Sequence, residues 1–138
     1  MNAYRWSELH TGLAHSFSVQ LTPAMMQDFL HLSGDTNPLH LDATFAKEAG
    51  FPDVVAYGML TSALYSRMVG VYLPGRFCLL HGIQVDFSNP AYVGDWLTVK
   101  GEIAHLNDAF RRIEIKASIE KGEQVISKAK IRVGLNER

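Results

Sequence analysis

The hydrophobic period of the sequence changes from helical to twofold near Gly75, and this change constrains the fold more than any other feature. Before it, the segment Tyr57–Leu73 (YGMLTSALYSRMVGVYL) is apolar nearly all round at helical spacing, which predicts a buried helix. After it, apolar and polar residues alternate in four segments, which predicts strands with one face in solvent and hence an antiparallel sheet. A sheet wrapped around one long helix is the simplest arrangement that buries both.

Capping and turn residues place the other elements. Thr22-Pro23 is typical of a helix start, with threonine as N-cap and proline at the first helical position, and Gly34 is suited to end that helix. Asp42 can cap a second, short helix. The predicted helices are Thr22 to about Ser33, Asp42–Lys47 and Tyr57–Leu73, and the predicted strands are His15–Leu21, Cys78–Phe87, Trp96–Leu106, Phe110–Glu120 and Gln124–Val133.

Length and charge limit the classes of protein to consider. A chain of 138 residues is long enough for one domain with a real core, so we expect a single domain over 1–138. The net charge of −1 argues against a broad electrostatic surface for nucleic acid. The single cysteine, Cys78, excludes an intrachain disulfide and a cysteine-rich zinc site, and it suits a reducing compartment.

Membrane and export signals are also missing from the sequence pattern. No apolar run approaches the roughly 20 residues that span a bilayer. The first residues, MNAYRWSELHTG, have no basic stretch followed by a long apolar core, so we do not expect a secretory signal. The sequence therefore predicts a cytoplasmic protein with no membrane partner.

Asp35 and His40 are the first candidate catalytic residues. They lie just past the first predicted helix, separated by Asn37-Pro38, a dipeptide that disfavours helix at Asn37 and stiffens the loop. A carboxylate and an imidazole on one rigid loop can share a water molecule, polarise it and take or return its proton. The alternative is structural, with Asp35 capping the loop and His40 a histidine satisfied by hydrogen bonds.

Gly58 and Ser66 are candidates on the long helix. Gly58 lies at its start, where unpaired N–H groups and the positive end of the helix dipole could polarise a carbonyl group. It could equally be a glycine that only permits the turn. Ser66 could hydrogen-bond a ligand, although a buried helical serine more often bonds the carbonyl one turn earlier. Considered without its neighbours, Tyr57 is expected to pack rather than to catalyse.

Three common catalytic motifs are absent. The sequence has no G-x-x-x-x-G-K-[ST] phosphate loop, no G-x-G-x-x-G after a strand and no G-x-S-x-G nucleophile elbow. This argues against nucleotide hydrolysis, dinucleotide redox chemistry and α/β-hydrolase chemistry.

The stretch from Phe29 to Ala46 (FLHLSGDTNPLHLDATFA) resembles the hydratase-2 motif of the MaoC-like, (R)-specific enoyl-CoA hydratases. The similarity continues through Val54-Val55-Ala56, Gly58-Met59-Leu60 and Leu73-Pro74-Gly75, and then through Phe87 with Pro90 to Gly94-Asp95. It therefore covers most of the chain from the first helix to the second strand of the meander.

The resemblance implies an α+β hot-dog fold, in which an antiparallel sheet curls around the helix Gly58–Leu73. It also implies a homodimer acting on acyl-CoA or acyl-carrier-protein thioesters, with no metal and no organic cofactor. Asp35 and His40 would activate water, the Gly58 amide would donate to the thioester carbonyl, and Ser66 would help shape the site. The reaction implied is hydration of trans-2-enoyl thioesters to (R)-3-hydroxyacyl thioesters, or the reverse dehydration.

The sequence departs from this family at Tyr57, where many relatives have histidine in an H-G-M sequence. The change leaves the Gly58 donor in place and bears on substrate preference, so Tyr57 joins the expected substrate-binding residues. Asn37 of the motif is also expected among them. Two alternatives remain: thioester hydrolysis, and a non-catalytic subunit that binds acyl thioesters or serves assembly. The complete Asp-Asn-Pro-His motif favours the hydratase reaction over both.

Overall fold

The architecture is one five-stranded antiparallel sheet with a helix against its inner face, described by a computed structural model for residues Met1–Glu137. The helices are α1 (Pro23–Ser33), α2 (Ala43–Glu48) and α3 (Gly58–Arg67). The strands are β1 (Ala14–Gln20), β2 (Cys78–Phe87), β3 (Trp96–Asn107), β4 (Arg112–Lys121) and β5 (Gln124–Leu135). Their order across the sheet is β1-β3-β4-β5-β2, which leaves β1 and β2 at the edges.

The strand predictions are confirmed, because every predicted strand is present with its ends within two residues. The alternation follows the pleat: inward-facing residues are buried and their neighbours are exposed. These buried side chains form the core beneath the three central strands. They include Leu97, Val99 and Ile103 of β3, Ile113, Ile115 and Ile119 of β4, and Ile126, Ile131 and Val133 of β5.

The predicted caps of α1 and α2 are confirmed. The Thr22 side chain accepts a hydrogen bond from the Met25 N–H, and Asp42 accepts from the N–H groups at the start of α2. Gly34 ends α1 in the left-handed conformation with φ 68°, and its N–H donates to the Leu30 carbonyl at 2.8 Å. The chain therefore leaves α1 at a sharp, defined angle directly before Asp35.

The long helix differs from its prediction in two ways. It is α-helical over Gly58–Arg67 and continues as a π-helical turn over Met68–Tyr72. The expectation of burial all round is wrong for the single chain: Met59 is 66% exposed, and Ala63 and Ser66 are also exposed. The sheet covers one side of the helix only, so its apolar opposite side stays uncovered.

The covered side of this helix packs closely on the sheet. Tyr65 is buried and shares a 2.8 Å hydrogen bond with the Ser127 hydroxyl of β5. Met68 is fully buried over Gly101 of β3, where an added Cβ would lie only 2.9 Å from the Met68 Cγ and Sδ atoms. The absence of a side chain at Gly101 thus sets how near the helix approaches the sheet.

Within the described residues, no helix is long and apolar enough to cross a membrane.

We predict that Gly101→Ala destabilises the protein by about 1–3 kcal/mol, the usual cost of overpacking a well-filled core. The measurement is the free energy of unfolding from denaturant titration. In a Met68→Ala background the same substitution should cost clearly less, because the atoms that an alanine Cβ would meet have been removed. An equal cost in both backgrounds would contradict the packing argument.

Candidate active site

The loop after α1 is held by a series of short-range hydrogen bonds. The Ser33 hydroxyl donates to the Phe29 carbonyl at 2.7 Å and accepts from the Asp35 N–H at 3.1 Å. The Asp35 Oδ1 atom then accepts from the Asn37 N–H at 3.0 Å. This last bond orients the Asp35 carboxylate and engages one of its two oxygens.

Asn37 has a structural role in this loop. Its side-chain oxygen accepts from the Leu39 N–H at 3.0 Å and caps a 3₁₀ turn over Pro38–His40. The Asn37-Pro38 spacer therefore stiffens the loop, as its backbone restrictions predict. The side chain of Asn37 is exposed.

His40 is held in one orientation by the segment before α3. Its Nδ1 atom lies 2.6 Å from the Val55 carbonyl oxygen, which can only accept, so Nδ1 carries the proton. The Leu39 carbonyl accepts from the Val55 N–H at 3.0 Å and reinforces the same junction. In the neutral imidazole this leaves Nε2 as an acceptor, which suits a group that binds water.

His40 and Gly58 line the same cavity, which has a volume of about 330 Å³. Gly58 is the first residue of α3, so its N–H belongs to the first turn, where helical N–H groups have no partner within the helix. Phe87, the last residue of β2, forms an aromatic wall of the cavity beside Gly58. An imidazole and a helix N-terminus thus face one open cavity.

Tyr57 is almost fully buried, at 1% exposure, and lies between the loop and the helix. Its hydroxyl donates to the Asp35 main-chain carbonyl at 2.8 Å. Its ring centroid lies 4.2 Å from that of His40 and 4.8 Å from that of Phe29. Burial, together with the charge of Asp35, raises the pKa of Tyr57 above its ordinary value of 10.0, so the hydroxyl remains a donor at neutral pH.

Ser66 lies apart from this cavity. It is exposed and is eight residues beyond Gly58 along the helix, which is about 12 Å at helical rise. The structure therefore places His40 and Gly58 at the cavity, and it joins Tyr57 to Asp35 of the adjoining loop, but it does not add Ser66 to them.

Some cavity residues were not among the candidates from sequence. Phe87, Thr61 and Ile126 line the cavity, and so does the segment 88–91. An aromatic residue two positions before Asn89-Pro90 is a signal that could have indicated Phe87. Ile126 has no such signal, because it is out of phase with the buried Ser127 and Ala129 and is buried only through a register irregularity between β4 and β5.

A larger hollow of about 1050 Å³ lies on the outer face of the sheet, away from these residues. Its walls are charged side chains that pair across strands. Lys100 and Glu120 form a 2.7 Å ion pair, and Glu102 lies opposite Lys116 in the register of β3 and β4. Such a face is typical of a solvated sheet surface.

The chain matches the family model of the MaoC like domain over residues 7–125. It belongs to this family. It is 35% identical over 100 residues to the (R)-specific enoyl-CoA hydratase of Aeromonas caviae, with 72% of this chain and 75% of that protein covered. It is 29% identical over 121 residues to a 3-hydroxybutyryl-CoA dehydratase of Methylorubrum extorquens, with 88% and 77% covered.

Solved structures give the same assignment. The (R)-hydratase of Aeromonas caviae superimposes with a TM-score of 0.88 at 30% identity, covering 93% of this chain and 98% of that one. An R-hydratase of Pseudomonas aeruginosa gives a TM-score of 0.89 at 27% identity, covering 96% and 86%. The predicted hot-dog fold is confirmed, and so is the enzyme class: the chain is a hydro-lyase.

We predict that Gly58→Ala lowers hydratase activity at least tenfold with little loss of stability. A Cβ at Gly58 would lie 3.1 Å from the Phe87 ring, which is 51% exposed and can move aside at small cost. The displaced ring would narrow the cavity that both residues line. Steady-state kinetics and thermal unfolding of the same sample test this, and full activity at unchanged stability would contradict it.

Proposed function

We propose that the chain catalyses (R)-specific hydration of trans-2-enoyl thioesters to (R)-3-hydroxyacyl thioesters, and the reverse dehydration. The observation that carries the proposal is that the His40 imidazole and the first turn of α3 face one cavity. The names of the relatives support it, because they include an (R)-specific enoyl-CoA hydratase and a 3-hydroxybutyryl-CoA dehydratase. The substrate would be carried by coenzyme A or by acyl carrier protein.

Gly58 would act on the carbonyl side of the substrate. Its N–H would donate to the thioester oxygen, withdrawing electrons from the conjugated double bond and making C3 electrophilic. The helix N-terminus also favours negative charge, so the same donor would stabilise the enolate that develops on this oxygen.

Asp35 and His40 would act on the water. Asp35 would take a proton as the water oxygen bonds to C3, and the electron pair of the C2–C3 double bond would move towards the thioester carbonyl. A proton would then return to C2. His40 would hold the water through Nε2, since its Nδ1–H is engaged by the Val55 carbonyl.

We predict that Asp35→Asn and His40→Gln each lower the rate at least 100-fold, on the scale of general acid–base catalysis. The assay follows the loss of conjugated enoyl absorbance with crotonyl-CoA and a longer enoyl-CoA. Asp28→Asn and His31→Gln are matched controls, because both residues are exposed on α1 and should leave the rate unchanged.

Two outcomes of this assay contradict the proposal. A wild-type protein inert towards all chain lengths on both carriers would exclude the hydratase activity and favour a binding or assembly role. Release of free thiol in place of hydration would favour thioester hydrolysis.

We also propose that two copies pair through β2. Three inward-facing residues of this edge strand are about half exposed: Leu80 at 49%, Ile83 at 44% and Phe87 at 51%. Their register partners on β5 are Val133, Ile131 and Ser127, all fully buried. The apolar face of β2 therefore extends the core beyond the part that α3 covers, and its backbone edge can pair with another strand.

We predict that Ile83→Lys converts a dimer to a monomer, because it places a charge within this apolar face. Light scattering coupled to size-exclusion chromatography gives the mass directly. Phe110→Lys is the matched control: Phe110 is 69% exposed on the connection between β3 and β4, away from β2. A monomeric wild type, or an Ile83→Lys variant that stays dimeric, would contradict the proposed pairing.

The single cysteine supports a cytoplasmic location, which is part of the same proposal.

A further inference from the structure

The components of the site belong to separate parts of the chain. Asp35 follows α1, His40 ends a 3₁₀ turn, and Gly58 begins α3. The hydrogen bonds within the segment 33–37 orient Asp35 only relative to its own loop. The bonds of Leu39 and His40 to Val55 hold the far end of the loop near α3, so a further contact must set the distance between Asp35 and the start of the helix.

Tyr57 contacts or adjoins all three components. Its hydroxyl donates to the main-chain carbonyl of Asp35 at 2.8 Å, and its ring lies against that of His40 with 4.2 Å between centroids. It is covalently bonded to Gly58 as the N-cap residue of α3. Its side chain is 1% exposed and its hydroxyl is already engaged by the Asp35 carbonyl, so it is placed to hold the site rather than to touch the substrate.

We propose that Tyr57 is a positioning residue that sets the spacing between the Asp35–His40 pair and the Gly58 donor. This role rests on the proposed hydratase function. Two side-chain torsions and close packing against Phe29 leave the ring little freedom, so it acts as a rigid spacer between loop and helix. Because the water and the thioester carbonyl must be held at a fixed separation, a small displacement of the loop would lower the reaction rate.

The test is Tyr57→Phe, which keeps the ring against His40 and removes only the bond to Asp35. The matched control is Tyr65→Phe, since Tyr65 is a buried tyrosine of α3 whose hydroxyl bonds Ser127 instead. The two variants lose one tyrosine hydrogen bond each and should unfold at similar temperatures. We expect kcat to fall about 10- to 100-fold in Tyr57→Phe with KM nearly unchanged, and to stay within twofold in Tyr65→Phe.

A second readout does not depend on activity. Backbone order parameters from NMR relaxation should fall at Asp35 and Asn37 in Tyr57→Phe and stay unchanged in Tyr65→Phe. Unchanged order parameters in Tyr57→Phe would overturn the proposal. If the wild type is active, equal kcat values for Tyr57→Phe and Tyr65→Phe would overturn it as well. If the wild type has no hydratase activity, the proposed function fails, while the order parameters still decide whether Tyr57 holds the loop.

Discussion

Burial of one side of α3 against the inner face of the sheet is the constraint on which the rest of the structure depends. The central strands supply a continuous layer of isoleucine, leucine and valine, each worth roughly 1.5–3 kcal/mol when fully buried. Met68 reaches this layer over Gly101, and Tyr65 reaches it through Ser127. Once these contacts form, the axis of α3 and the place of its N-terminus are determined.

The position of that N-terminus determines the site. Gly58 is brought beside the end of β2, where Phe87 closes one wall of the cavity. The loop after α1 then reaches the same place from the other side, through the bond of His40 to Val55 and that of Tyr57 to Asp35. In the proposed mechanism neither side suffices alone, because the loop would supply the groups that bind water and the helix would supply the donor for the thioester carbonyl.

The uncovered side of α3 and the exposed inner face of β2 follow from the same packing. Five strands curl far enough to cover one side of the helix, and the edge strand extends past it. Met59 on the helix and Ile83 on the strand are both left in solvent in the single chain. An apolar surface of this kind is what a second copy would bury.

Several features were determined by the sequence alone because their causes are local. The caps at Thr22, Gly34 and Asp42 depend on groups within a few residues, and the strands depend on an alternation that matches the pleat. The rigid Asp35–His40 loop is also local, since Asn37 makes its bonds within it. The family motif added the fold and the enzyme class.

Tertiary structure decided the contacts between distant segments. From sequence, Tyr57 was expected to pack or to bind substrate, and its bond to Asp35 could not be foreseen because that bond spans 22 residues of sequence. The helix was expected to be buried all round, and this was wrong for the single chain. The composition of a helix does not record how far a sheet can curl around it. Ser66 and Gly58 share a helix, yet only Gly58 faces the cavity, because the tilt and rotation of α3 on the sheet select which residues point there. These depend on packing over the whole domain, which no short stretch of sequence encodes.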